Sequence, residues 1–329
     1  MTPCYLHGLG IISALGRGKE ATYAGLMRGD TSGMVVETSW HATKPARVGR
    51  VTPSLPDVPP SLRRYRCRTN RLLLAAAEEI DAEIQNAIRR FGRERVGVVI
   101  GTSTSGIAEG EDAIAALDAT GAFPASFHYA QQEMGTPAPF LAAALGIDGP
   151  AYVVSTACTS GAKALGCARH LLGSGLCDAV VAGGVDSLCR LTINGFSALE
   201  LTTPELCNPM SANRRGINIG EGAALFLVSL EPGPVALTGV GESSDAYHIS
   251  APDPSGAGAE TAMRAALRDA GVDPNRIDYV NLHGTATAHN DSMEAAAVDR
   301  VFGTAVPCGS TKALTGHALG AAGAIEAGF

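Results

Sequence analysis

Apolar runs closed by glycine alternate with helix-forming runs along the whole chain, and this alternation restricts the fold more than any single motif. CYLHGLGIIS, RVGVVIGTS, AYVVSTA, DAVVAGGVDS and AALFLVSLE predict strands. Between them, residues 18–28, 68–90, GIAEGEDAIAALDA, TPAPFLAAALGI, SGAKALGCARHLLGSG and RLTINGFSALE predict helices, and residues 52–60, with four prolines, predict a loop. After EPGP the pattern restarts, with strands in VALTGVGES, IDYVNLHGT and AVPCGST and helices in GAETAMRAALRDAG, NDSMEAAAVDRVF and LGAAGAIEAG. Such alternation argues for an α/β protein whose parallel sheets are covered on both faces. Two series imply two duplicated halves, 1–231 and 232–329, the second ending on a helix with no strand after it.

Composition narrows the function. With 25 basic and 32 acidic residues the net charge is −7, which argues against nucleic acid as a general partner. The eight cysteines form no CxxC pair and no zinc spacing, so no metal site is expected. The start, MTPCYLHGLG, lacks the basic region of a secretion signal. No apolar run reaches the ~18 residues that a membrane helix needs. A chain of the reduced cytoplasm, away from membranes, is the expectation.

VSTACTSGAKALG places Cys158 between a strand and a helix, among Ala157, Thr159, Ser160 and Gly161. Backbone N–H groups at a helix start favour thiolate, and small neighbours leave room for a substrate. A free cysteine is as a rule a packed one, and packing is the expectation for the other seven. Two histidines set Cys158 apart. His283 closes a strand in VNLHGTATAHND, and His317 opens a helix in GSTKALTGHALGAAGAIEAG. Three such groups, each at an element end, are the raw material of a cleft.

TACTSGAKA, HGTATAHND and STKALTGHALGAAGAIE resemble the three active-site motifs of the β-ketoacyl-acyl carrier protein synthases, in the elongating Cys-His-His type. GGVDSLCRLTINGFSALE, GEGAALFLVSLE and SSDAYHISAP extend the likeness along nearly the whole chain. The chain-initiating branch has asparagine where His317 stands, thiolases use a second late cysteine, and chain-length-factor subunits lack the nucleophile. The resemblance implies a thiolase-like fold, two βαβ halves with mixed sheets in a layered α/β/α/β/α core, and a decarboxylative condensation feeding fatty acid or polyene/polyketide-like biosynthesis. Cys158 would carry the acyl group, and His283 and His317 would hold the malonyl thioester oxygen. Lys312 and Glu326 match the family's pair around the second histidine, and Thr285 and Thr287 its pantetheine-binding threonines. Asp291 and Glu294 would brace the His283 loop. No cofactor is implied beyond the phosphopantetheine of the carrier protein.

SLRRYRCRTNR carries Arg63, Arg64, Arg66 and Arg68, with Arg71 a turn later. Such a run is ordinarily a solvated face. Its position matches the basic helix start at which the family docks its acidic carrier protein, and steering onto a net-negative chain requires such a patch. The resemblance also implies a homodimer, or a heterodimer with a chain-length-factor-like subunit.

The sequence departs from the family in three places. Family chains run on through two further strands and a Gly-Phe-Gly-Gly-type loop bearing the second oxyanion-hole amide, so missing C-terminal strands and a hole reduced to the Cys158 N–H are expected. Arg215 and Ile217 stand where relatives commonly carry an aspartate and an aromatic, which predicts a repacked loop. Lys163 lies one turn into the nucleophile helix, where another residue is more usual. Two other readings remain: a non-catalytic subunit that shapes a partner's pocket, and a Cys-His hydrolase, which would leave the second histidine and Lys312 without a task.

Overall fold

The computed structural model describes residues 3–41 and 43–329. Its strands are β1 (Cys4–Ser13), β2 (Gly16–Arg17), β3 (Met34–Glu37), β4 (Ala46–Gly49), β5 (Val96–Gly101), β6 (Ala151–Val154), β7 (Ala179–Asp186), β8 (Ile219–Gly220), β9 (Gly222–Ser229), β10 (Val235–Leu237), β11 (Val280–Asn281) and β12 (Cys308–Gly309). The main sheet runs β10-β1-β9-β7-β5-β6, with β2 folded back on β1. β5 pairs parallel with both β6 and β7, whereas β9 is antiparallel to both β1 and β7. The sheet is therefore mixed, not parallel throughout as alternation alone suggests. β5, β7 and β9 are buried along their whole length, and such strands carry no face alternation by which direction could be read.

Helices follow the strands: α1 (Lys19–Arg28), α2 (Arg68–Glu78), α3 (Asp81–Phe91), α4 (Ile107–Thr120), α5 (Pro137–Leu145), α6 (Ser160–Gly173), α7 (Arg190–Ala198), α8 (Ala257–Ala270), α9 (Ala288–Phe302), α10 (Lys312–Thr315) and α11 (Ala322–Gly328). One face of the sheet packs on α2, α3 and α5 through Leu72, Ile84, Phe140, Val98 and Val181. The other packs on α6 and α11, through Ala164, Ala168, Val180 and Phe226 and through Ala321, Ala324 and Ile11. Sequence periodicity joins residues 68–90 into one helix, but the chain breaks at Glu79 and Ile80. Ile80 adopts φ −126° and ψ 19° and buries its side chain against the backbone of Gly8. The bend keeps both Ile80 and Ile84 on the core, so the apolar pattern runs on through the break.

In the second half the strands are shorter than their sequence runs. VALTGVGES yields only β10, which joins the main sheet against β1, and IDYVNLHGT yields only β11, parallel to β12. Among the described residues this second sheet has two strands. Its helices α8 and α9 lie against each other, and Gly239 and Gly241 let the backbone approach α8 closely. No helix among the described residues is long and apolar enough to cross a membrane.

Candidate active site

The Cys158 turn follows β6. Ala157 takes φ +56°, a left-handed conformation costly for a residue with a Cβ, and this lifts Cys158 out of the strand line at the start of α6. Ser160, whose Oγ donates to the Ala157 carbonyl and accepts from the Thr156 N–H, holds the turn. Across from it, Gly161 and Gly320 meet backbone to backbone. A Cβ on Gly161 would fall 2.8 Å from the Gly320 carbonyl oxygen, so glycine lets the nucleophile helix touch the segment after His317.

His317 is buried and fixed by its backbone: its N–H donates to the Asn218 carbonyl (2.7 Å), and its own carbonyl accepts from Gly220 (2.9 Å). Its Nε2 lies 2.9 Å from Cys158 Sγ. Its Nδ1 is buried with no partner among the described residues, so no bond on the far side of the ring fixes the tautomer. The His283 ring stands edge-on to it, with centroids 5.1 Å apart and planes at 83°. One donor atom from each of Cys158, His283 and His317 lies within 4.8 Å of the others.

Burial governs the protonation states. It pushes the Cys158 thiol up to about 11, with the Lys312 charge acting in the opposite sense. The helix start therefore does not deliver the thiolate expected from sequence, because desolvation outweighs it. Burial first, and then Lys312, depress His283 to about 3; the same causes, with His283 added, hold His317 well below its usual range. Both imidazoles are neutral at pH 7. Lys312 is wholly buried and its Nζ lies 2.5 Å from Glu326 Oε1. Burial raises the Glu326 carboxyl against the pull of Lys312.

The His283 loop is held from α9. Glu294 accepts the N–H groups of His283 (2.6 Å) and Gly284 (2.8 Å), and Asp291 accepts those of Ala286 (3.1 Å) and Met210 (2.7 Å). Both carboxylates thus sit where the sequence places them, bound to loop backbone. Gly284 has φ +43°, and a Cβ there would fall 2.4 Å from that of Ser310. Thr285 and Thr287 share a hydroxyl contact of 2.9 Å. They line one cavity, of about 210 Å³, with Cys158, His283 and His317.

The arginines divide. Arg63 and Arg64 are exposed, and Arg66 is exposed but paired with Asp57 at 3.1 Å. Arg68 turns inward: its guanidinium binds both oxygens of the buried Glu221 (2.6 and 2.7 Å) and the Val51 carbonyl. It is tied into the core, while the other three face solvent.

Two supports escaped sequence reasoning. Asp186, at the end of β7, is fully buried and accepts from the backbone of Ser103, Thr104 and Gly320 and the hydroxyls of Thr102 and Thr104. Asn218 pins the Cys207 N–H and the carbonyls of Thr203 and Glu205 while its backbone holds His317. A lone carboxylate ending an apolar strand, as in GGVDS, was the available signal for the first; INIGEG carries none for the second.

Residues 5–232 match the family described as "Beta-ketoacyl synthase, N-terminal domain" and residues 235–328 its C-terminal domain counterpart. The chain is 35% identical over 282 residues to 3-oxoacyl-[acyl-carrier-protein] synthase 2 of Staphylococcus aureus, covering 80% of this chain and 70% of the relative. It is 31% identical to nodulation protein E of Rhizobium meliloti, over 97% of this chain and 82% of that one. It superposes with a TM-score of 0.96 and 46% identity on a chain of the ketosynthase ApeO in complex with its chain length factor ApeC from Xenorhabdus doucetiae, covering 99% of this chain and 83% of that one. On this convergence of site, fold and likeness, the chain belongs to the β-ketoacyl synthase family, acyltransferase-type condensing enzymes of the thiolase-like fold.

Proposed function

We propose that this synthase uses Cys158 as nucleophile and His283 with His317 as enolate-holding donors, acting on acyl and malonyl groups carried by an acyl carrier protein. The observation that carries this reading is the approach of His317 Nε2 to within 2.9 Å of Cys158 Sγ, with His283 beside it. His317 Nε2, in hydrogen-bond contact with Sγ, can steady the negative charge that develops on sulfur as Cys158 reacts. Cys158 Sγ attacks the acyl thioester, its proton passes to the leaving pantetheine sulfur, and the acyl enzyme remains with both imidazoles still neutral. Malonyl thioester then loses CO₂. The enolate oxygen is held by the neutral N–H groups of His283 and His317, and the carbanion attacks the acyl-Cys carbonyl. The Cys158 thiolate departs and takes a proton from solvent, leaving 3-oxoacyl thioester.

Neutral imidazoles are what such donors require, and burial keeps them so, with the charge of Lys312 adding to it. Thr285 and Thr287, facing the same cavity, suit the polar pantetheine arm. Arg63, Arg64 and Arg66 form the carrier-docking face, and Arg68 contributes through the core instead. The proposed chemistry needs no cofactor beyond the carrier protein's phosphopantetheine, and eight free cysteines fit a cytoplasmic setting.

The likeness to a ketosynthase solved with its chain length factor supports a heterodimer over a homodimer. The pathway served is fatty acid or polyene/polyketide-like biosynthesis. The edge strand β6, with Tyr152 exposed on it, offers unpaired backbone to a partner chain. The non-catalytic-subunit reading leaves the assembled Cys-His-His trio without a use. The test is intact mass after incubation with an acyl carrier protein: one acyl group gained by the wild type and none by Cys158→Ala. No gain by folded wild type, alone and with a chain-length-factor partner, would overturn the reading.

A further inference from the structure

The catalytic cavity has two unlike walls. His283, His317, Thr285 and Thr287 make one polar, and Phe196, Leu201 and Ile217 make the other apolar. A second, small cavity, of about 40 Å³, lies between α7 and the strand β4, lined by Ala46, Val48, Ile193 and Ser197 with His41, Lys44 and Arg47 at its edge. Ile217 lines both cavities, and it is the one residue they share. It is 2% exposed and packs in a cluster with Val48, Ile193 and Ile219. Its backbone is fixed, the N–H donating to the Leu201 carbonyl (2.7 Å) and the carbonyl accepting from the Thr203 N–H (3.2 Å), which holds the side chain between the two linings.

We infer that Ile217 is a specificity-determining partition: an acyl chain on Cys158 runs along the apolar wall, and the side chain at 217 sets whether its end enters the cavity behind. This rests on the proposed acyl-Cys158 chemistry. A hydrocarbon chain leaves the polar wall to the thioester and pantetheine and follows the apolar one, since each methylene taken from water favours binding by roughly fourfold. Ile217 is the side chain common to both linings, so its size is what can join or part them. Truncation opens it, and an aromatic ring seals it.

The experiment measures kcat/KM for acyl transfer to Cys158 across straight-chain acyl carrier protein donors in wild type, Ile217→Ala, Ile217→Phe and the double variant Ile217→Ala/Ala46→Phe. Truncation should move the preference toward longer chains by roughly fourfold for each methylene newly accommodated. The Phe variant should move it toward shorter ones, and the double variant, which refills the far cavity from β4, should lose the gain of the single one. Acylation by the shortest donor reports that each variant is folded. A chain-length profile unmoved in acylation-competent variants, or a long-chain gain that survives Ala46→Phe, would overturn the inference. Absence of acylation in the wild type itself would instead count against the acyl-enzyme reading.

Discussion

Lys312, wholly buried, holds Glu326 with 2.5 Å between Nζ and Oε1, and its charge acts on all three members of the reactive trio. It lowers His283 and His317 and opposes the rise that burial imposes on Cys158. A pair of this kind contributes less through its own attraction than it costs to break, because the survivor is left in a poor solvent.

Lys312→Met should therefore destabilise the fold by about 3 kcal/mol, since Glu326 keeps its burial and loses its partner. The double variant Lys312→Met/Glu326→Leu should recover much of that stability, because an apolar pair of similar volume replaces an ionic one. Activity should not recover with it, the imidazoles having lost the neighbouring cation. Urea denaturation alongside acylation rates checks both arms. Recovery of both together would show that the pair serves stability alone.

The depressed histidines give stability a pH signature. His283 stands at about 3 in the fold and near 6.5 when unfolded. Between those values the unfolded chain binds a proton that the folded one refuses. Stability from this ring is thus fully present above about 6.5 and is lost as pH falls toward 3, at about 1.4 kcal/mol per pH unit. Raised carboxyls such as Glu294 and Glu326 tilt the opposite way, so the comparison is with His283→Asn. The stability difference between wild type and variant should shrink by that slope as the solution is acidified. Parallel curves between pH 6.5 and 4 would contradict a neutral, desolvated His283.

The Cys158 thiol should be slow to alkylate. With its proton held to about 11, roughly one thiol in a thousand is ionised at pH 8. Iodoacetamide labelling of Cys158, located by peptide mass, should rise about tenfold per pH unit from 7 to 10. A plateau by pH 9 would mean that the thiolate is stabilised and that burial does not hold the thiol protonated.

Much of this site is legible in the sequence because its members sit at element ends marked by glycine and small residues. Cys158 follows an apolar run and opens a helix, and His283 and His317 have comparable placement. What escapes is non-local. The inward turn of Arg68 depends on Glu221, 153 residues away, and the role of Asp186 depends on backbone N–H groups at 103, 104 and 320. Sheet direction escapes for a related reason: β9 is as apolar as β5 and β7, so nothing in its composition shows that it runs antiparallel to β7. The thiolate expectation fails because helix-start electrostatics can be read from a motif while desolvation cannot.

The arginine run offers a test in which docking and packing separate. Arg63→Glu and Arg64→Glu reverse charge on an exposed face and should raise KM for acyl carrier protein donors about tenfold or more at low salt. They should leave transfer from a free acyl-pantetheine thioester unchanged, and the difference should shrink as ionic strength rises. Arg68→Ala should behave in the opposite way. It removes the two closest donors to Glu221, whose side chain is fully buried and keeps Arg50 at 3.7 Å and the N–H groups of Val51 and Leu188. It should cost about 2 kcal/mol of stability, with no selective effect on carrier-bound donors. A selective carrier defect in a stable Arg68→Ala protein would put that guanidinium back on the docking face, whereas equal loss with both donors for Arg63→Glu would remove Arg63 from it.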